Sequence, residues 1–122
     1  MEIPLTIADH LRRAEVVYGD RIAIVDEPDQ VAAPLPDLTY ARTAELSRAM
    51  AAGLDAMGLD MGARVAMVSH NAARMLVFLF GTSAFGRVGV PINFRLNVEE
   101  VQYIVDHSGA DVLLIDPELE PT

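Results

Sequence analysis

Hydrophobic residues recur with two spacings along the chain, and these spacings predict where helices and strands lie. Before residue 61, apolar positions three and four apart predict two helices, over 7–17 and 41–57. Between them, alternating apolar residues predict a strand over 21–26, which forms a hairpin with a short strand at 38–40. The proline-rich and acidic segment 27–37 is typical of an exposed loop. The apolar face of the second helix is formed by Leu46, Met50, Leu54 and Met57.

Residues 61–122 show a different arrangement, in which short apolar runs alternate with helical segments. They predict three strands and two helices, in chain order at 63–69, 72–86, 88–92, 98–109 and 111–116. Strands that are apolar throughout and alternate with helices are typical of a parallel sheet with right-handed crossovers. We therefore predict an α/β fold: a partly parallel sheet with flanking helices, consisting of a βαβαβ core to which residues 1–60 add a helix, a hairpin and an amphipathic helix.

Two features predict that this fold is an incomplete part of a larger one. The helix at 72–86 is apolar on all sides, so neighbouring elements must cover it on several of them. A doubly wound sheet would follow the strand at 111–116 with a covering helix, whereas the chain continues as PELEPT. We therefore expect exposed apolar surface. Association through this surface, including the formation of a homo-oligomer, stays open.

The composition excludes several classes of function. With 18 acidic and nine basic residues and a net charge of −9, the chain lacks the Lys and Arg clusters that bind nucleic acids and anionic membranes. The absence of cysteine excludes disulfides, cysteine metal ligands and thiol catalysis. No apolar segment is long enough to span a bilayer, and the N-terminus lacks the features of a signal peptide. We therefore expect a cytoplasmic globular protein.

Glycine and serine provide no complete catalytic motif. Gly81, Gly86 and Gly89 lack the G-x-G-x-x-G spacing and lie within or after a predicted helix, which makes a dinucleotide enzyme a weak hypothesis. Ser83 does not fit a nucleophile elbow, because the residue two positions later is Phe85. We interpret these residues as helix packing and helix termination.

The three histidines do not form a metal-binding pattern either. His10 and His107 fall on helices among polar neighbours and are predicted to be solvated. His70 lies at the C-terminal end of the strand at 63–69, the edge where open α/β sheets bind ligands. The simpler interpretation, which we favour, is that Asn71 caps the next helix and His70 fills a turn.

The segment GRVGVPINFRLNVEE joins a strand to a helix. Asn97 and Glu100 have the spacing of a capping box, and Leu96 can pack against Val101 as a hydrophobic staple. Pro91 within the strand is typical of an edge strand or a strand end. These features explain the joint as a structural element.

Asn93 and Arg95 take no part in that explanation. Both follow the strand and point towards the edge of the sheet where ligands bind. An arginine there can pair with phosphate or carboxylate through its planar fork, or form a weak surface ion pair with nearby acidic residues. The residues alone favour neither of these two interpretations.

The order of the segments resembles the N-terminal part of the AMP-forming acyl-CoA synthetases, members of the adenylate-forming enzyme superfamily. The resemblance rests on GDRIAIVD, on LTYARTAELSRAMAAGLDAMGL, and on residues 62–116, which contain VPINFRL. It implies that residues 1–122 are the N-terminal part of the AMP-binding domain of a longer enzyme. Such enzymes convert a carboxylic acid, ATP and CoA into acyl-CoA, AMP and pyrophosphate through an acyl-adenylate, and the resemblance implies Mg²⁺ as well.

The family's phosphate loop and its lysine, the adenine motif, the ribose-binding aspartate and the catalytic lysine are absent and would follow Thr122. The GTS at 81–83 lies in a predicted helix without a lysine after it. The resemblance therefore implies a scaffold with no catalytic residue and no metal ligand, in which Arg95 lies near the phosphates of CoA. We expect the isolated chain to be inactive and to bind none of the cofactors tightly. The alternative is a self-contained small α/β binding or interaction domain without catalysis.

Overall fold

In the computed structural model, which describes residues 5–119, four helices and five strands follow the predicted order. The ends of the chain, including part of the stretch used to exclude a signal peptide and the last residues of PELEPT, lie outside the described residues. The N-terminal elements are α1 (Ile7–Tyr18), β1 (Ile22–Ile24), β2 (Leu38–Thr39) and α2 (Tyr40–Ala56). They are followed by β3 (Arg64–Ser69), α3 (Ala73–Ser83), β4 (Val88–Asn93), α4 (Val98–Ser108), β5 (Val112–Ile115) and a 3₁₀ turn at Pro117–Leu119.

The predicted parallel sheet and hairpin are both present. Strands β3, β4 and β5 are parallel, in the spatial order β4-β3-β5, and β1 pairs with β2 in an antiparallel hairpin. The order makes β3 the central strand and β4 an edge strand. Pro91 therefore lies on an edge strand, as predicted, where its missing N–H costs no hydrogen bond on the open side.

The side chains of β3 alternate between the two faces of the sheet, and each face has its own core. Val65 and Met67 pack with Phe78 of α3 and Leu54 of α2, and all four are buried. On the other face, Ala66 and Val68 pack with Ile92, and helix α4 covers them. The crossover helices α3 and α4 therefore lie on opposite faces of the sheet. The apolar residues that α4 contributes are Val101, Ile104 and Val105.

The capping box predicted at Asn97 and Glu100 is present, and α1 begins with a second one. At α4, the Glu100 N–H donates to Asn97 Oδ1 and the Asn97 N–H donates to Glu100 Oε2, both at 2.9 Å. Thr6 and Asp9 form the same reciprocal arrangement at α1. The backbone N–H of Thr6 donates to Asp9, and this bond holds the pKa of that carboxyl below its usual value. These local signals define where the helices begin.

Helix α2 buries part of the face that its large residues predict, since Leu54 is buried and Met50 packs against the same core. Met57 is 60% exposed, whereas small side chains occupy most of the buried positions. Small residues let α2 approach its neighbours closely: a Cβ on Gly81 of α3 would lie 2.9 Å from Cβ of Met50. The buried residues of α2 are Thr43, Ala44, Ser47, Ala51 and Leu54.

Helix α3 is shorter and less covered than the sequence predicts. It ends at Ser83, and Gly86 turns the chain with a φ of 81°, a left-handed conformation that favours glycine. Phe78 and Thr82 are buried, but Leu76 is 42% exposed. The apolar composition of this helix therefore exceeds what the described residues cover.

Candidate functional site

The C-terminal ends of β3 and β4 lie at a topological switch point of the sheet. From β3 the chain continues to α3 on one face, and from β4 it continues to α4 on the other face. Two neighbouring strands whose connections leave in opposite directions open a crevice between them, and open α/β sheets bind ligands there. Ser69 and Asn93 face each other as the last pair of residues in the two strands.

A cleft of about 430 Å³ occupies this position. Its apolar side is formed by Met75 and Leu79 of α3, and its polar side includes Asn71, Asn93 and Arg95. Asn93 and Arg95, which the sequence places at the ligand-binding edge, are thus brought together around one cleft, whereas His70 does not line it. Its remaining lining residues are Ser69, Pro91, Ile92 and Phe94.

Arg95 lies at the exposed side of the cleft. Its backbone N–H donates to Asn93 Oδ1 at 3.0 Å, so the Asn93 side chain shapes the turn after β4. Its guanidinium carbon lies 5.5 Å from the centre of the Phe94 ring, within the range of a cation–π contact. Among residues 5–119, no carboxylate oxygen lies within 4.0 Å of the guanidinium nitrogens. The surface ion pair considered as an alternative is therefore not formed within this part of the chain.

A buried carboxylate, Asp116, lies next to the cleft at the end of β5. It is 2% exposed, and its Oδ2 accepts from Ser69 Oγ at 2.7 Å and from the His70 backbone N–H at 3.1 Å. The Nδ1 atom of His70 lies 3.7 Å from the same oxygen, and Arg74 Nη1 lies 3.6 Å from Oδ1. Asp116 thus connects the end of β5 to the loop between β3 and α3. Sequence reasoning missed it, and its one local signal is an acidic residue that directly follows an apolar strand.

Arg74 and Glu118 hold the loop between β1 and β2 against this cluster. Arg74 Nη2 donates to the Ala33 carbonyl at 2.8 Å, and the Ala33 N–H donates to Glu118 Oε1 at 2.9 Å. That N–H, with Arg74 acting in the same direction, holds the pKa of the Glu118 carboxyl below its usual value. Ala32 is completely buried. The segment 27–37, predicted as an exposed loop, is therefore fixed at its centre.

The prediction that Asn71 caps α3 is wrong. The residue at the N-cap position is Ala72, whose side chain provides no hydrogen bond. Instead, Oδ1 of Asp26 accepts from the Ala73 N–H at 2.8 Å, and Oδ2 of the same carboxylate accepts from the Leu35 N–H at 3.0 Å. A residue after β1 thus replaces the local cap, and Asn71 is left at the exposed rim of the cleft.

The other candidate residues stay apart from the cleft. His10 and His107 are exposed, as predicted, and the His107 ring stacks on Tyr103 with a centroid distance of 5.5 Å. Within residues 5–119, no three His, Asp or Glu side chains are arranged to hold a metal ion. No helix in the same part of the chain is long and apolar enough to cross a membrane.

Comparisons with known proteins agree on one family. The profile of the family described as "AMP-binding enzyme" matches residues 7–122. A long-chain-fatty-acid–CoA ligase of Thermus thermophilus is 34% identical over 121 residues, which are 99% of this chain and 22% of the relative. A feruloyl-CoA synthase of an Amycolatopsis species is 42% identical over 81 residues, or 66% of this chain and 16% of the relative. The chain thus spans about a fifth of the length of these relatives.

Solved structures show the same likeness. The inhibitor-bound N-terminal domain of FACL13 from Mycobacterium tuberculosis matches with a TM-score of 0.85 and 30% identity, over 95% of this chain and 28% of that one. A Mycobacterium tuberculosis fatty acyl CoA synthetase matches with a TM-score of 0.82 and 31% identity, over 95% of this chain and 22% of that one. The arrangement of helices and strands therefore recurs within larger enzymes.

Proposed function

The chain belongs to the AMP-binding enzyme family, and from this premise we propose that it is the N-terminal segment of an AMP-forming acyl-CoA synthetase. The whole enzyme would join a carboxylic acid to CoA at the expense of ATP, through an acyl-adenylate, and release AMP and pyrophosphate. The observation that carries the proposal is the match of the family profile to residues 7–122, together with relatives named as CoA ligases. Because ATP and CoA are cytoplasmic metabolites, we place this activity in the cytoplasm.

Within that enzyme, we assign residues 1–122 to the first part of the AMP-binding domain, as scaffold. Arg95 is the one residue of the segment to which we give a ligand. We assign Mg²⁺ no ligand here, since residues 5–119 contain no cluster suited to a metal ion. Adenylate formation itself would depend on residues that follow this segment in the longer relatives.

Arg95 is proposed to bind a phosphate group of CoA. It lines the cleft at the switch point, and residues 5–119 offer its guanidinium no carboxylate. A guanidinium without an ion-pair partner can bind phosphate through two parallel N–H donors. The chain carries a net charge of −9, so an anionic ligand depends on such a local cation.

The acyl substrate is left as a carboxylic acid of unassigned structure. The relatives are named for long-chain fatty acids, for ferulic acid and for 4-hydroxybutyrate. These acids differ in length, polarity and aromatic character. Similar N-terminal segments therefore occur with very different acyl groups, which favours a substrate pocket built mainly elsewhere.

The proposal is tested in a hybrid ligase, in which residues 1–122 replace the matching segment of the Thermus thermophilus relative. We expect Arg95→Ala to raise the KM for CoA about tenfold. This rise corresponds to a loss of about 1.4 kcal/mol of binding free energy, which is expected when one pair of charge-assisted hydrogen bonds is removed. The rate of ATP–pyrophosphate exchange, which reports adenylate formation without CoA, should stay unchanged. Arg21→Ala is the matched control, because Arg21 also lies over an aromatic ring, 5.2 Å from the centre of Tyr18, away from the cleft.

An unchanged KM for CoA in Arg95→Ala would remove the CoA contact from the proposal. A rise of the same size in the KM of Arg21→Ala would show that the loss of any positive charge, and not the loss of a CoA contact, raises the KM. The alternative of a self-contained binding domain predicts a compact monomer that takes up no hydrophobic dye. The proposed segment instead exposes apolar residues on strand β5, such as Leu113 and Ile115, which are 37% and 40% exposed.

A further inference from the structure

The ring of His70 lies between a buried carboxylate and an aromatic ring. On one side, Asp116 Oδ2 accepts from the His70 backbone N–H at 3.1 Å and lies 3.7 Å from Nδ1. On the other side, the ring packs against Phe94 with a centroid distance of 4.3 Å and an interplanar angle of 36°. The His70 side chain is 17% exposed, and its Nδ1 atom is buried with no hydrogen-bond partner among residues 5–119. His70 is thus held by its backbone and by two neighbouring side chains.

Phe94 transmits this arrangement to the cleft. Its ring contacts His70 and also lies under the Arg95 guanidinium, 5.5 Å from the guanidinium carbon. Both Phe94 and Arg95 line the cleft, whereas His70 does not. A contact chain therefore runs from Asp116 through His70 and Phe94 to Arg95.

We infer that His70 is a positioning residue for Arg95 and acts through the Phe94 ring. An exposed arginine samples many side-chain rotamers, and their restriction on ligand binding opposes affinity. A fixed aromatic ring under the guanidinium removes part of this cost before the ligand arrives. The inference rests on the proposed function, in which Arg95 binds a phosphate of CoA. It gives His70 a role in binding although the residue touches no ligand.

The inference is tested on the 122-residue chain by NMR. The Nε–Hε resonance of Arg95 reports its place over the Phe94 ring, since the ring current displaces it from the value of a free arginine. Adenosine 3′,5′-bisphosphate, which carries the phosphates of the nucleotide part of CoA, is titrated at millimolar concentration. The variants are His70→Ala, which removes the ring, and His70→Phe, which keeps a ring against Phe94. His107→Ala is the matched control, because it removes another histidine stacked on an aromatic ring.

In His70→Ala, we expect the Arg95 resonance to move towards the value of a free arginine, and the Kd for the bisphosphate to rise about two- to fivefold. His70→Phe should restore both, and His107→Ala should change neither. An Arg95 resonance and a Kd unchanged in His70→Ala would overturn the inference. A resonance displaced as much in His70→Phe as in His70→Ala would also overturn it, because the ring would then play no part.

Failure of the proposed function gives a different result. If Arg95→Ala leaves the KM of the hybrid ligase for CoA unchanged, the CoA contact fails, and the Arg95 resonance in the His70 variants still decides whether His70 positions Arg95. If His70→Ala does not fold, His70→Leu takes its place, since leucine fills a similar volume without a ring. An Arg95 resonance in His70→Leu identical to that of the wild type would overturn the inference.

Discussion

Replacement of Asp26 by alanine is expected to destabilise the chain by about 2–3 kcal/mol, because one carboxylate satisfies two backbone N–H groups. Its oxygens accept from Ala73 at 2.8 Å and from Leu35 at 3.0 Å. Loss of a helix cap costs about 1–2 kcal/mol, and loss of a second hydrogen bond costs about 1 kcal/mol. For 122 residues, 1 kcal/mol corresponds to about 4 °C in Tm, so we expect a decrease of about 8–12 °C.

Urea unfolding followed by circular dichroism measures this loss, and a thermal scan gives the change in Tm. Asp26→Asn keeps one acceptor oxygen and is expected to lose about half as much free energy of unfolding. Asp29→Ala, which removes an exposed carboxylate from the same loop, is the matched control and should change stability by less than about 0.5 kcal/mol. The reasoning is refuted if Asp26→Ala costs no more than Asp29→Ala.

Three further predictions concern the packing around Gly89, the pH dependence of stability and the exposed apolar surface. Gly89→Ala should destabilise by about 1–3 kcal/mol in urea unfolding, because the new Cβ would lie 2.7 Å from Thr82 Oγ1. The free energy of unfolding should fall as the pH decreases below 4.5. Hydrogen bonds from Arg48 and from Ala33 lower the pKa of Glu15 and Glu118 below that value in the folded chain, so stability present at higher pH is lost as both protonate. The isolated chain should take up a hydrophobic dye, because apolar residues of β5 are exposed.

Two of these predictions have a control within the chain, and the third has an outcome that would contradict it. Gly53 lies on the exposed side of α2 with nothing within 4 Å of a new Cβ, so Gly53→Ala should stabilise by about 0.5–1 kcal/mol. Equal effects at Gly53 and Gly89 would contradict the packing argument. Glu118→Gln should reduce the loss of stability at low pH. An unchanged pH dependence of the free energy of unfolding in this variant would rule out a contribution from Glu118. A compact monomer without dye uptake would favour the self-contained domain.

Local patterns predicted the elements of the fold because the interactions behind them are local. The alternation of Val65 and Met67 with Ala66 and Val68 reflects a central strand covered on both faces, and the structure has this arrangement. The box formed by Asn97 and Glu100 requires only neighbouring residues. Such features depend on spacing along the chain and are visible in the sequence.

The features that the sequence did not predict have a common physical cause, which is contact between residues far apart in sequence. Asp26 caps α3 across 47 positions, so the capping rule that selected Asn71 had no means of finding it. Asp116 joins the candidate site because β5 lies beside β3, and spacing does not encode the order of strands in a sheet.

The candidate site was found in part for the same reason. Asn93 and Arg95 were predicted at the ligand-binding edge because they follow a strand, and the structure places both on the cleft. The contacts that surround Arg95, from Phe94 to His70 and Asp116, depend on the packing of three strand ends. They became visible only in three dimensions.

The most direct test of the central claim is pyrophosphate release, measured side by side for the isolated chain and for the hybrid ligase, with ATP, CoA and a panel of carboxylic acids. If residues 1–122 are the N-terminal scaffold of an acyl-CoA synthetase, the pure isolated chain releases no pyrophosphate and the hybrid releases it in the presence of an acid. Turnover by the isolated chain, or a folded hybrid that binds ATP but releases no pyrophosphate, would contradict the account.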